Sequence, residues 1–351
     1  MSTKILFLNQ DDILKCGGGE MSLAVDAMEK VFSLHQKKEY ILPNKSVLRW
    51  GGMESESTRG RINSMPASIG GDFNSVGIKW ISSAPQNPEK YGMPRATGVI
   101  ILNDYETLMP IAIMDGMLLS AMRTGANSGV VAKYLAKENS EVLGLIGAGV
   151  QNKTQLLAMK HVMGNLKKVK IADLNKERAE SFADEMSKKV NLPIEVVDKA
   201  EEAVRNSDVI ITATVTKKPI VQADWISEGA LYIHVGSHEC EFDVIEKADK
   251  VVVDDWEELK HRGVETISIM YAEGKFQENE IHAHLGEVVN AVKPARTNDK
   301  EFIYFSSVGL GIQDVALASV IYERAREKNI GKELDLWGES TYLHQAKKVM
   351  K

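Results

Sequence analysis

The chain predicts an α/β protein whose centre is a doubly wound parallel sheet of Rossmann type, and three observations carry that prediction. From about residue 140 short β-rich runs alternate with helical stretches, the rhythm of βαβ units. The apolar run Glu141-Val142-Leu143-Gly144-Leu145-Ile146 leads straight into Gly147-Ala148-Gly149-Val150-Gln151-Asn152, a strand, a Gly-x-Gly turn and a helix start. Lys168-Val169-Lys170-Ile171-Ala172-Asp173 reads as a second strand ending in an acid about 24 residues beyond Gly149, the spacing at which a ribose hydroxyl needs an acceptor.

The elements follow in order. Residues 21–37 have helical periodicity, and strand-like runs at 45–50, 61–66, 75–81, 98–103 and 109–115 stand at hairpin spacings. The nucleotide-binding region then gives strands ending at 146 and 173, helices from 151 and over 177–188, a short strand at 194–197 and a helix at 200–205. Residues 209–214 are continuously apolar or β-branched, as in a strand buried on both faces. Further strands are expected at 230–235 and 250–253, and a final helix over 311–328 returns to the first domain. The Rossmann sheet is therefore expected as an insertion, with residues 125–311 inside a second, α+β domain of residues 1–124 plus 312–351.

Composition narrows the function. A formal charge of −6 and the lack of a basic helix or aromatic-basic stripe argue against a nucleic-acid partner. No run approaches the roughly 20 apolar residues of a membrane span, and the N-terminus lacks a secretory apolar region, so a cytoplasmic protein with no membrane partner is expected. Cys16 and Cys240 offer neither metal spacing nor a disulfide framework. Small-molecule chemistry remains.

For a dinucleotide, Gly147 permits the tight turn, Gly149 lets the backbone approach a pyrophosphate, and the N–H groups of Val150 and Gln151 open the helix that binds it. The third glycine position is Asn152, a departure from the usual pattern. Asp173 favours NAD, because a 2′-phosphate would meet its charge; Lys176 and Arg178 just beyond soften that repulsion. The first domain supplies cations at strand-like positions, Lys45, Arg49, Arg61, Lys79, Arg95 and Arg123. Lys45 and Arg49 share a face by the period-two rule, Arg123 can fork onto a carboxylate, and Lys79, flanked by apolar residues, suits carboxylate binding or proton transfer at a lowered pKa. Taken singly, each is also an ordinary surface cation.

Several segments together resemble the ornithine cyclodeaminase and mu-crystallin family of NAD(P)-dependent oxidoreductases acting on amino acids and imines. They are Gly77-Ile78-Lys79-Trp80, Ala96-Thr97-Gly98-Val99-Ile100-Ile101-Leu102-Asn103, Ser120-Ala121-Met122-Arg123-Thr124-Gly125-Ala126, Gly147-Ala148-Gly149 and Ser307-Val308-Gly309-Leu310-Gly311-Ile312-Gln313-Asp314. The resemblance covers nearly the whole chain. It implies that Lys79 and Arg123 hold substrate as catalytic groups, that a cation near Lys45 binds carboxylate, that Thr124 contacts the cofactor phosphates with Thr214 and Val308 also at the cofactor, and that the first domain forms a homodimer.

One departure bears on the reaction. Cyclodeaminases place an essential aspartate in Gly-x-Asp before a Pro-Gly-Lys run; here Gly236-Ser237-His238-Glu239-Cys240 puts His238 in that position and lacks the run. Residues 103–107, 212–216, 248–256 and 329–336 are instead similar to a subgroup of siderophore pathways. That subgroup oxidises N-(2-amino-2-carboxyethyl)-L-glutamate with NAD and hydrolyses the imine to L-2,3-diaminopropionate and 2-oxoglutarate, a substrate with several carboxylates. Ornithine cyclodeamination, another amino-acid dehydrogenase or imine reductase activity, and non-catalytic nucleotide binding stay open beside it. His238 is either a general base for an attacking water or a loop histidine. His282 and His284 lack a third ligand at useful spacing, so no metal is expected, and Asp254-Asp255-Trp256-Glu257-Glu258 reads as a helix N-cap with its first-turn acids.

Overall fold

The computed structural model describes residues 3–50 and 59–337, and the end of the expected first domain lies outside them. In chain order the strands are β1 (Thr3–Leu8), β2 (Tyr40–Ile41), β3 (Ser46–Trp50), β4 (Gly60–Ile69), β5 (Ser75–Ser83), β6 (Ala96–Asn103), β7 (Pro110–Asp115) and β8 (Val142–Ile146). They continue as β9 (Lys168–Ala172), β10 (Ile194–Val196), β11 (Val209–Thr212), β12 (Leu231–His234), β13 (Lys250–Val253), β14 (Ile281–His284), β15 (Ile303–Ser306) and β16 (Lys332–Trp337). The chain divides into two units. One comprises Met1–Glu20, Glu39–Ser120 and Gly311–Lys351, the other Met21–Lys38 and Ala121–Leu310. The helix Met21–Gln36, expected with the first domain, thus groups with the second.

The second unit is the doubly wound sheet. Its order is β10-β9-β8-β11-β12-β15-β13-β14, with every pairing parallel. Every residue of β11, β12, β13 and β15 is buried, which is why these strands are apolar without alternation. Strand order reverses between β8 and β11, the crevice where such sheets bind ligands at their carboxyl ends. Strand β15, central between β12 and β13, was not expected from the sequence; its Ile303-Tyr304-Phe305-Ser306 is a short apolar run with no turn chemistry to mark it. The helix Met117–Leu135 was also unmarked, its apolar pattern interrupted by Gly125 and Gly129.

The first unit is built on the order β16-β1-β7-β6-β5-β4-β2, with β3 also on β4. Its pairings are antiparallel except that of β1 with β7. The helix Gly311–Lys328 packs on β4, β5 and β6. It covers the face bearing the cross-strand row Met65, Lys79, Ile100 and Met114. The opposite face carries a second row, Pro66, Ile78, Ile101, Ile113 and Phe7, running across five strands. Beside it Trp80 is 45% exposed and its cross-strand neighbour Val99 is also exposed.

Candidate functional site

In the second unit the turn after β8 has the geometry that a dinucleotide needs. Gly147 has φ +98°, and a Cβ there would stand 2.9 Å from the Ala213 carbonyl oxygen and 3.1 Å from the Thr214 side chain, so both conformation and space require glycine. Nothing lies within 4 Å of the position a Gly149 Cβ would take, leaving an open approach to the backbone. Gly149 is the N-cap of the helix Val150–Val162 and supplies no side-chain cap, and Val150 is 67% exposed, so first-turn N–H groups are presented to an anion. Asn152 explains the departure at the third glycine position: its Nδ2 donates to the Ile146 and Gly147 carbonyls at 2.9 and 2.5 Å, stapling helix to turn. Asp173 accepts from the Ala148 N–H at 2.7 Å and the Asn175 N–H at 2.8 Å, which fixes its carboxylate at the end of β9. Lys176 is turned to Asp198 at 3.1 Å. These residues fit a dinucleotide with an unphosphorylated ribose.

Three more of the expected residues lie in this unit. Arg123 is not on a strand but inside the helix Met117–Leu135, buried, with its guanidinium over Gly309, whose missing Cβ makes the room. Thr124 is half-buried, and its carbonyl accepts from Gln155 Nε2 at 3.3 Å. Val308 donates its N–H to Asp254 Oδ2 at 2.8 Å. The same carboxylate accepts from the Gly309 N–H at 2.8 Å and the Ser307 hydroxyl at 2.9 Å. The acidic cluster therefore has two parts: Asp255 is the expected N-cap, accepting from the Glu258 N–H, whereas buried Asp254 holds the loop beside Arg123.

His238 follows β12 on a half-buried loop, its Nδ1 3.2 Å from Thr266 Oγ1 and its ring against Phe242. Burial lowers its pKa, which favours the neutral imidazole. Its neighbour Glu239 is fully buried and accepts from the backbone N–H groups of Thr214 and Gly236. His282 contacts the Pro294 carbonyl, and His284 caps the helix Leu285–Val289 with Glu287. Among the described residues no three His, Cys, Asp or Glu side chains form a metal site.

In the first unit, Lys79 on β5 is 2% exposed, and its Nζ lies 2.6 Å from Asp314 Oδ2, itself fully buried on the covering helix. Ser120 Oγ stands 3.2 Å from the same ammonium. The two groups form a buried ion pair, in which each supplies the opposite charge that the other needs away from water. The sequence carries no mark of this role for Asp314, because its partner is 235 residues away in the chain. Arg49 on β3 pairs in register with Arg61 on β4, and both point to the face that carries Lys79. Lys45 precedes β3, so the period-two rule does not place it; it is half-buried. Arg95 is exposed in the segment before β6.

Residues 20–329 match the model of the ornithine cyclodeaminase/mu-crystallin family. The chain belongs to this family. It is 38% identical over 338 residues to N-((2S)-2-amino-2-carboxyethyl)-L-glutamate dehydrogenase of Staphylococcus aureus, an alignment covering 96% of this chain and 100% of that one. Two solved family members share the fold closely. The Delta(1)-pyrroline-2-carboxylate reductase of Thermococcus litoralis, solved with NADH and L-proline, gives a TM-score of 0.86 at 37% identity, covering 93% of this chain and 99% of that one. An archaeal alanine dehydrogenase dimer with bound NAD gives 0.87 at 35% identity, covering 95% and 100%. No helix among the described residues is long and apolar enough to cross a membrane.

Proposed function

We propose that this chain oxidises N-(2-amino-2-carboxyethyl)-L-glutamate with NAD to an imine, whose hydrolysis gives L-2,3-diaminopropionate and 2-oxoglutarate, a diamino acid for siderophore assembly. The broader class is firm ground: the chain is an NAD-dependent oxidoreductase of the amino-acid CH–NH bond, like its family relatives. The observation that carries the finer reading is the set of cations on one face of the first sheet, Arg49, Arg61 and Lys79, supported by the full-length similarity to the Staphylococcus aureus dehydrogenase. A substrate with three carboxylates uses such a set; alanine and proline, with one, do not need it.

The roles follow from chemistry. Lys79, paired with Asp314, and Arg123, braced over Gly309, bind and orient substrate carboxylates, with Lys45 and Arg49 taking the others. Gly147, Gly149, Val150, Gln151, Thr124, Thr214 and Val308 hold the dinucleotide, and Asp173 accepts from its ribose. Bound NAD supplies a hydride acceptor. As the α C–H bond of the glutamyl half breaks, its hydride leaves, the amine nitrogen loses a proton and C=N forms. Water then adds to that carbon, His238 takes a proton from it and returns it to the nitrogen, and as the C–N bond breaks the remaining hydroxyl proton passes to the departing nitrogen, releasing ketone and primary amine together.

The unit of Met21–Lys38 and Ala121–Leu310 is assigned to the nucleotide and contributes Arg123 to substrate binding, and the other is assigned the remaining carboxylate-binding cations and self-association. The partner on the partly exposed apolar face of the first sheet is a second copy of this chain: among the described residues the row from Pro66 to Phe7 with Trp80 and Val99 is an apolar patch of the kind an isologous dimer buries. The functional test is competition. Supplied with NAD and each of the glutamate adduct, L-alanine and L-proline, the enzyme should give the highest kcat/KM on the adduct by at least about 100-fold, the scale of two lost charge-assisted contacts. A higher value on alanine or proline overturns the assignment.

A further inference from the structure

Glu239 accepts hydrogen bonds from four backbone N–H groups. Its carbonyl oxygen accepts from the N–H groups of Ile220 and Val221 at 2.9 and 3.1 Å, where the segment after β11 ends. Its carboxylate reaches the start of that same segment, Oε1 accepting from the Thr214 N–H at 2.5 Å. Oε2 accepts from the Gly236 N–H at 2.9 Å, in the segment after β12, and lies so close to Gly236 that any Cβ there would overlap the carboxylate. One fully buried residue therefore holds both ends of residues 213–221 and the start of residues 235–238. These segments leave the carboxyl ends of adjacent parallel strands, on the opposite side of the β8/β11 reversal from Asp173 at the ribose, which is the nicotinamide half of such a site.

We propose that Glu239 is a positioning residue: its carboxylate, accepting from Thr214 and Gly236 at once, sets the two loops that frame the nicotinamide half of the nucleotide site. The proposal rests on the nucleotide reading of this unit and assigns Glu239 no contact with substrate.

The surroundings make that carboxylate sensitive to pH. His234 Nε2 is 3.3 Å from Oε2, yet this is no ion pair: burial pulls the imidazole down to about 4, Nε2–H is given to the Ser237 carbonyl, and Nδ1 accepts the Tyr304 hydroxyl. Tyr232, Tyr304 and Cys240 are buried with raised pKa values and stay neutral. Glu265 is paired with Arg262, Asp243 on the next helix is an acid and brings no positive charge, and half-buried His238 has its pKa lowered by desolvation. Without a cation facing it among the described residues, Glu239 is pushed by burial up to about 7. Below that value the acid has lost its charge and one N–H its ionic acceptor; above it the clamp closes. Fold stability moves the other way. The folded state holds this proton between the ordinary carboxyl value and about 7 while the unfolded state does not, so stability falls as pH rises through that window. Loop order and stability thus have opposite pH trends, which separates positioning from a merely structural role.

Hydrogen exchange of the Thr214 and Gly236 amides in the nucleotide-free protein, corrected for intrinsic rates, should show protection increasing from pH 6 to pH 8 with a midpoint near 7. NADH titrated over the same range should bind several-fold tighter at the upper end. In Glu239→Gln both pH dependences should vanish, with NADH binding about tenfold weaker at pH 8, the scale of one lost charge-assisted bond. Unchanged protection and affinity in that variant, or a flat profile in the unaltered protein, overturns the proposal. If the variant does not fold, the profile of the unaltered protein decides. Protection that follows Glu239 in a protein that binds no NADH would uphold the clamp and refute the nucleotide reading.

Discussion

Among the described residues each sheet has eight strands, yet the central strands of one are buried on both faces while the other keeps one face partly exposed. In the parallel sheet the side chains are spent on packing, and recognition is left to the backbone at strand ends. Three carboxylates there, Asp173, Glu239 and Asp254, are each turned to peptide N–H groups of the loops that would meet the nucleotide. In the antiparallel sheet the covered face keeps its charge in side chains, with Lys79 and Asp314 buried together, and the other face keeps apolar side chains exposed. Under the proposed function, main chain at the strand ends reads the cofactor and side-chain cations read the substrate. Mutations should separate the two.

The largest separation is expected at Lys79. Because removing either partner alone leaves a buried charge uncompensated, at a cost of about 3–5 kcal/mol, the informative protein carries Lys79→Met together with Asp314→Asn. Its kcat/KM should drop at least about 1,000-fold through lost orientation and charge, while NADH affinity, a property of the other unit, stays within about threefold. Near-normal turnover would return Lys79 to a packing role, and a parallel loss of NADH binding would break the division of labour between the sheets.

A smaller effect tests the uncovered face. Trp80→Glu places a charge in the apolar patch without touching the Lys79 face, since successive residues of β5 point to opposite sides. Sedimentation should show a dimer for the parent and a monomer, or a dimer weakened by about 100-fold, for the variant. A dimer of unchanged affinity would place the subunit contact elsewhere.

The same contrast governs what could be read from the sequence. The Rossmann unit was legible because its rules are local: Gly147 and Gly149 follow an apolar run, and Asp173 ends the next one. Strands β5 and β6 were legible from alternation, and the helix 311–328 from its period. The helix Met117–Leu135 was not, because Gly125 reads as a breaker; in the fold it lets two helices touch, a Cβ there standing 2.5 Å from the Thr154 carbonyl oxygen. Asp254, Glu239 and Asp314 escaped as positioning groups for one reason. Each owes its role to partners 3 to 235 residues away, aligned by the folded loops and sheets, and an acid in sequence carries no mark of which N–H or ammonium it will meet.

The central claim is that cations of the first sheet select a polycarboxylate adduct whose glutamyl α-carbon gives up hydride. The direct measurement is incubation with NAD and N-(2-amino-2-carboxyethyl)-L-glutamate carrying deuterium at that carbon. The account predicts that the deuterium appears in the reduced nicotinamide and that 2-oxoglutarate and L-2,3-diaminopropionate form in amounts equal to it. Reduction of NAD without deuterium transfer, or with only one of the two products released, would contradict it.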